Sequence, residues 1–363
     1  MDNASQATGF PPQRRATQAV HVGEVTIGGG APVSVQTMTK TDTADAEATL
    51  RQTRAAAAAG AQVVRVAIPS HQALDGFAQI VAGSPVPIVA DIHFDYRLAL
   101  AAIEHGAAKI RINPGNIGDD SRLGAVLDAA GEAGIPVRLG INAGSLEQDL
   151  LDKYGHPTAE ALCESAFRSI QRAEKLGFCD IVVSIKASDV PTTVTANRLF
   201  ARESNVPLHL GITEAGLGTA GVAKSAVGLG LLLAEGIGDT IRVSLTDDPA
   251  EEVRAGRAIL QSLNMISGPQ LVSCPTCGRC KVELRPIAEQ VQEALQEIDR
   301  PIVVAVMGCE VNGPGEAKEA DIGLACGGEY GVIFRHGEVL RRVKISQAAE
   351  ELLAEIRKSM TPQ

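Results

Sequence analysis

Between Val33 and about Ile266 the chain repeats one pattern, a short β-branched run followed by a stretch of helical, often alanine-rich composition. The runs are VSVQTMT from Val33, VVRVAI from Val63, PIVADIH from Pro87 and KIRINP from Lys109. They continue with PVRLGIN from Pro136, IVVSIKA from Ile181, PLHLGIT from Pro207 and IRVSLTD from Ile241. Such alternation predicts parallel strands, because each helix returns the chain to the same end of the sheet. Eight units in roughly 230 residues is the count and length of a (β/α)8 TIM-type barrel. An open doubly wound sheet has the same local pattern, since closure leaves no mark on the sequence. Val22–Ala31, with Gly28-Gly29-Gly30, reads as a hairpin ahead of the first strand.

The alternation stops near Ser267–Gln270, which predicts a division into a barrel (1–267) and a smaller domain (268–363). The tail reads as a helix (Arg285–Ile298), a strand (Ile302–Met307), the loop GCEVNGPGEA, short strands (Ile322–Ala325, Gly331–Phe334) and a last helix (Ser346–Lys358). That is a small α+β domain, whose modest core gains from a cofactor. Five of the chain's seven cysteines lie in it. Cys274 and Cys277 form a C-x-x-C turn in SCPTCGRCK, so two thiolates face one metal centre. Cys309 leads a Gly/Pro/Asn-rich loop that also carries Glu316. A cubane needs a ligand for each of four irons. Three thiolates and one labile ligand would leave an iron open to a substrate oxygen, which separates a catalytic cluster from an electron wire. Cys280 extends the turn to C-x-x-C-x-x-C, like a bacterial ferredoxin, but the fourth cysteine before a proline is missing. Either Cys280 is a ligand and Glu316 is not, or Cys280 is a bystander. Structural zinc competes with both readings, although a zinc ribbon shows two clean knuckles and this chain has one.

Charge narrows the partners. The net charge is −10, tryptophan is absent and aromatic residues are 3%. This argues against nucleic acid, which asks for basic surfaces and stacking platforms. No apolar run approaches membrane-spanning length. The N-terminus has no apolar stretch behind Arg14-Arg15, so export is not expected and the cytoplasm is the expected compartment. Thiols stay reduced there, and clustered cysteines mean metal or catalysis.

Against that acidic background the barrel runs carry cations: Arg65, Arg111, Arg138, Lys186 and Arg242. A strand buried on both faces is normally apolar, and an unpaired buried charge costs several kcal/mol. Internal ion pairs with Asp91, Glu214 and Asp247 are the plain explanation. Five cations converging on the C-terminal face of a barrel also make a pocket for a small, highly anionic ligand, most simply one with two phosphates. Asn113, Asn116, Asn142, Ser145 and Ser244 add neutral donors at the same rim. Gly216, Gly218 and Gly221 spell G-x-G-x-x-G after the seventh run, which suits phosphate contact at a helix start or merely a tight turn. Glu214 is placed for acid/base work or as a counter-ion. His93 and His209 are weaker candidates. Lys186 is also positioned for a Schiff base, so a lyase of a phosphorylated substrate with a structural zinc is the alternative.

The segments VSVQTMTKTDTAD, DIHFDYRLAL, KIRINPGNIG, RLGINAGSLE, LHLGITEAG, SCPTCGR and MGCEVNGPGEA together resemble the 4-hydroxy-3-methylbut-2-enyl diphosphate synthase family in its compact bacterial form. The resemblance runs from about Val22 to Lys344. It implies a barrel that binds 2-C-methyl-D-erythritol 2,4-cyclodiphosphate and a C-terminal domain with a [4Fe–4S] cluster on Cys274, Cys277, Cys309 and Glu316. It implies diphosphate contacts from Arg65, Arg111, Arg138, Asn142, Lys186, Arg242 and Ser244, with Glu214 near the substrate hydroxyl. It further implies flavodoxin or ferredoxin as electron donor, and a homodimer in which the cluster domain of one subunit closes over the barrel of the other. Cys280 departs from the family, which does not usually have a cysteine ligand there.

Overall fold

The computed structural model describes residues 12–298, 300–309 and 318–360, and divides into two compact units, 1–266 and 267–363. The first unit begins with an antiparallel hairpin, β1 (Val20–Val22) and β2 (Val25–Ile27). Eight parallel strands follow: β3 (Ser34–Met38), β4 (Val63–Ala67), β5 (Ile88–Asp91), β6 (Lys109–Ile112), β7 (Val137–Asn142), β8 (Ile181–Lys186), β9 (His209–Leu210) and β10 (Thr240–Ile241). Their order is β8-β7-β6-β5-β4-β3-β10-β9. A parallel bridge from Val183 to Leu208 joins the two ends and closes the barrel. The helices are α1 (Ala46–Ala58), α2 (Leu74–Gly83), α3 (Tyr96–Glu104), α4 (Asp120–Ala133), α5 (Gln148–Tyr154), α6 (Ala159–Lys175), α7 (Val190–Glu203), α8 (Gly218–Ala234) and α9 (Pro249–Ser262).

Strand parity divides the wall. Val64, Val66, Ile110, Ile112, Leu139, Val183 and Ile185 belong to the core shared with the helices. Residues of the opposite parity face the lumen. At the N-terminal end these are Val63, Val89 and Val182, and they form a buried cluster with Val20, Val22 and Ile27 of the hairpin. The hairpin therefore plugs the bottom of the barrel. Above that valine layer the inward positions turn polar and charged.

Asp45, Asp95, Asp119, Asp189 and Asp248 cap α1, α3, α4, α7 and α9, each accepting a backbone N–H of the first turn. A cap of this kind contributes about 1 kcal/mol. Here the caps also fix the loops that carry site residues. The arginine pair of the N-terminal segment has a structural role. Arg14 donates to Gly238 O at 3.0 Å and Asp239 Oδ1 at 2.7 Å, and Arg15 donates to Val206 O at 2.9 Å.

The second unit is a five-stranded sheet in the order β11 (Pro269–Ser273), β12 (Ile302–Met307), β13 (Ile322–Gly327), β14 (Tyr330–Arg335) and β15 (Glu338–Lys344). The first three strands are parallel and the last two antiparallel. One face, through Val304, Val306, Leu324 and Cys326, packs on α10 (Leu284–Leu295) and the C-terminal helix Ala348–Met360. On the other face Phe334 lies across Gly323, where a Cβ would meet the ring at 2.2 Å. The sequence reading lacked β11 and β15 and otherwise matches these elements to within a few residues at their ends.

Candidate functional site

The charged lumen is built by alternation. In β6, Lys109 and Arg111 point inward while Ile110 and Ile112 point to the helices; Arg138 and Asn142 of β7 and Lys186 of β8 follow the same rule. Arg111, paired in register with Arg138, is accommodated because its side chain lies over Gly140 of β7, where a Cβ would stand 2.7 Å from Arg111 Nε. Gly211 likewise leaves space for Lys186, whose Nζ lies 2.8 Å from where a Cβ would be.

Two carboxylates partly balance these cations. Asp91 Oδ1 accepts from Arg111 Nη1 at 3.1 Å, and Asp91 Oδ2 lies 3.9 Å from Arg65 Nε and 3.5 Å from His93 Nε2. Burial would raise the Asp91 carboxyl, but Arg65, the His93 hydrogen bond and Arg111 outweigh it and hold the group well below the usual range. The second is Glu252 of α9, which accepts from Thr37 Oγ1 at 2.7 Å and Leu245 N at 3.0 Å. It also lies 3.3 Å from Arg242 Nε and 3.2 Å from Lys40 Nζ. Glu252 replaces two expected counter-ions. Among the described residues no ion pair joins Glu214 or Asp247 to a barrel arginine. Asp247 meets Lys40 only through its backbone carbonyl, and Glu214 is exposed in the loop after β9 with φ 52°. Met38 Sδ sits between Arg65 Nη2 (2.7 Å) and Arg242 Nη1 (3.6 Å).

Among the described residues, Arg138, Lys109 and Lys186 form no ion pair with a carboxylate. Arg138 is 1% exposed with Nε and Nη1 unpartnered, and Lys109 is fully buried with Nζ unpartnered. Lys186 is 8% exposed and has no ion pair among the described residues. Burial, reinforced by Arg65 and Arg111, pushes the Arg138 guanidinium well below its ordinary range. Burial and Arg138 do the same to Lys186, and burial to Lys109 and His209. Arg65 is lowered to about 10, mainly by burial against the opposing pull of Asp91. A buried cluster with more cations than carboxylates is stabilised by an anion. The rim adds neutral donors: Asn113 Nδ2 donates to Ser145 Oγ at 2.8 Å, and Ser145 Oγ to Asn142 O at 3.4 Å. Asn142 and Ser244 are half-buried. Of the glycine motif, Gly216 and Gly218 take positive φ, while Gly221 allows close packing, since a Cβ there would stand 2.7 Å from Leu245 Cδ2.

In the second unit Cys274 follows β11 and its sulfur accepts from Gly308 N at 3.2 Å. The Cys277 thiol is lowered, chiefly by the Arg279 backbone N–H, and is exposed. The Cys277 environment favours thiolate, the form that ligates iron. Cys280 Sγ stands beside Cys274 at Gly308 and donates to Val282 O at 3.2 Å. Cys326 is buried, and its thiol is pushed up to about 12, first by burial. Cys309 is half-buried, and Glu316 lies outside the described residues. Among the described residues no three His, Cys, Asp or Glu side chains converge on one metal position. The donor types and the amide N–H on Cys274 are nevertheless compatible with an iron–sulfur centre, which Cys274, Cys277 and Cys309 could hold.

Sequence reasoning missed Lys40, Glu252, Met38 and Lys109. Lys109 was within reach, since it shares the parity of Arg111 in KIRI. Glu252 lies on a helix in EEVRAGR and reads there as a solvated acid.

Fold and site together define a TIM-type barrel with a cationic lumen, fused to a cysteine-bearing α+β domain. The chain belongs to the GcpE family: residues 17–257 match the GcpE TIM-barrel domain and residues 270–358 the GcpE protein C-terminal domain. The 4-hydroxy-3-methylbut-2-en-1-yl diphosphate synthase (flavodoxin) of Geobacter sulfurreducens is 54% identical over 343 residues, covering 94% of this chain and 97% of that one. That of Aquifex aeolicus is 51% identical over 345 residues, covering 95% and 97%. A dihydropteroate synthase structure from Xanthomonas albilineans gives a TM-score of 0.49 at 15% identity over 69% of this chain and 100% of that one, too slight a likeness to argue from. None of these matches supports the Schiff-base lyase alternative.

Proposed function

We propose that the chain reductively opens 2-C-methyl-D-erythritol 2,4-cyclodiphosphate to 4-hydroxy-3-methylbut-2-enyl diphosphate and water, an oxidoreductase step of isoprenoid precursor synthesis. The observation that carries this reading is the pair Arg138 and Lys186, buried in the lumen with no carboxylate ion pair among the described residues. A cyclic diphosphate supplies the missing negative charge. Residues 1–267 bind this substrate and residues 268–363 hold a [4Fe–4S] cluster. Two electrons arrive singly from reduced flavodoxin, the donor in the relatives' names, or from ferredoxin.

Arg65, Arg111, Arg138, Lys186 and Arg242 grip the phosphates, and Asn142 and Ser244 orient them. Charge-assisted contacts of this kind contribute about 1.5–3 kcal/mol each. Glu214 stands near the substrate hydroxyl as acid. Cys274, Cys277, Cys309 and Glu316 hold the cluster, which when bound supplies single electrons and a Lewis-acidic iron. A carboxylate exchanges more readily than a thiolate, which suits the position a substrate oxygen must take. The test is anaerobic turnover of the cyclic diphosphate with a reduced one-electron donor. Formation of the linear diphosphate supports the reading; a brown, iron-loaded protein that neither binds nor reduces the substrate refutes it.

A further inference from the structure

Cys280 is not explained by the reaction. It is half-buried, and its sulfur is not turned away from the ligand turn. The evidence is at Gly308. A Cβ on that residue would stand 2.5 Å from Cys280 Sγ and 3.2 Å from Cys274 Sγ, so both sulfurs converge on one small space that only a glycine leaves free. Cys280 N donates to Cys277 O at 2.9 Å, closing a turn that brings Cys280 back toward Cys274. Cys277 faces solvent and Cys326 is shut inside β13.

We propose that Cys280 is a reserve thiol: when the cluster is absent, it joins Cys274 in a reversible disulfide that keeps this ligand from irreversible oxidation. The inference rests on the reading of Cys274 as an iron ligand. The oxidant is a peroxide. The Cys274 sulfur takes one oxygen as the peroxide O–O bond breaks, giving the sulfenic acid, and the other oxygen leaves as water; the Cys280 thiol then attacks that sulfur, the S–S bond forms and the sulfenic oxygen departs as a second water. In sum the two thiols give up two electrons and two protons, and one hydrogen peroxide becomes two waters. Without a neighbouring thiol the sulfenic acid proceeds to sulfinic acid, from which thiol reductants do not recover the ligand.

The experiment uses the full-length chain stripped of iron under argon and then exposed to hydrogen peroxide at low excess. Free thiols are alkylated and the protein is digested with trypsin, which cuts after Arg279 and so separates Cys280 from Cys274 and Cys277. The expected product is a Cys274–Cys280 linked peptide that a dithiol reductant resolves. After reduction and anaerobic reconstitution, wild type regains its iron, whereas Cys280→Ser regains roughly threefold less and carries sulfinic acid on Cys274. An alkylated, unlinked Cys280, a disulfide confined to Cys274 and Cys277, or equal iron recovery in the variant overturns the proposal. Because the linked peptide is read on wild type, a misfolded variant does not remove the test. Absence of iron from protein purified anaerobically would sink the cluster reading instead, and is scored separately from the disulfide.

Discussion

The buried cations of the lumen pull against the stability of the fold. Arg138 is buried with two unpartnered nitrogens. Replacing it by methionine removes an uncompensated charge, so Arg138→Met should unfold at higher urea concentration than wild type while binding the cyclic diphosphate at least about tenfold more weakly. Equilibrium unfolding and a binding titration on one preparation check both halves. Lys186 gives a pH signature. Burial and Arg138 lower its ammonium in the free protein, and an anion beside it restores the ordinary value. The ligand therefore binds the protonated form. Affinity is greatest below the lowered value and falls about tenfold per pH unit as pH rises through the window up to the bound value. Calorimetry in buffers of different ionisation heat should show proton uptake on binding, and Lys186→Met should reduce it. Glu252 is the opposite case, a buried carboxylate held by Arg242, Lys40, Thr37 and the Leu245 amide. Glu252→Gln should cost about 3 kcal/mol of stability, against roughly 0.5 kcal/mol or less for its exposed neighbour in Glu251→Gln.

At the scale of elements, Gly323 and Phe334 form a cross-strand unit whose geometry fixes the register of β13 and β14. Gly323→Ala should cost about 1–3 kcal/mol through overpacking, and Phe334→Leu in the same chain should recover part of it. A double-mutant cycle by denaturant unfolding reads the coupling; additive losses would mean that the ring moves aside freely. Element by element, the barrel strands were legible because each is a β-branched run between helical stretches, a signal that survives without tertiary knowledge. β15 was not, because EVLRRVK has charged residues on both parities and is largely exposed. β11 escaped because PQLVS sits directly against the cysteine turn and its burial pattern shows no clean alternation. The cations of the site could be read for the same reason as the strands, since a charge inside an apolar run stands out. Their counter-ion on α9 could not, because only packing brings Glu252 to Arg242.

For the whole molecule, the two units have separate cores, one spanning the barrel and its helices and one between the second sheet and its helices. If the family's dimer holds here, mixing Lys186→Ala with Cys309→Ser should restore part of the turnover through hybrid dimers, measured once subunit exchange is demonstrated by mass. Complete absence of rescue would place the whole reaction within one chain. The β1–β2 hairpin and the layer of Val63, Val89 and Val182 have a further effect. They turn the lumen into a cul-de-sac, so arrivals and departures use the same doorway. A spent molecule has to vacate before the next can enter, and water displaced by binding leaves past the newcomer. If the lumen is the substrate site proposed above, occupancy is a queue of one, and the linear diphosphate competes with its own precursor for entry.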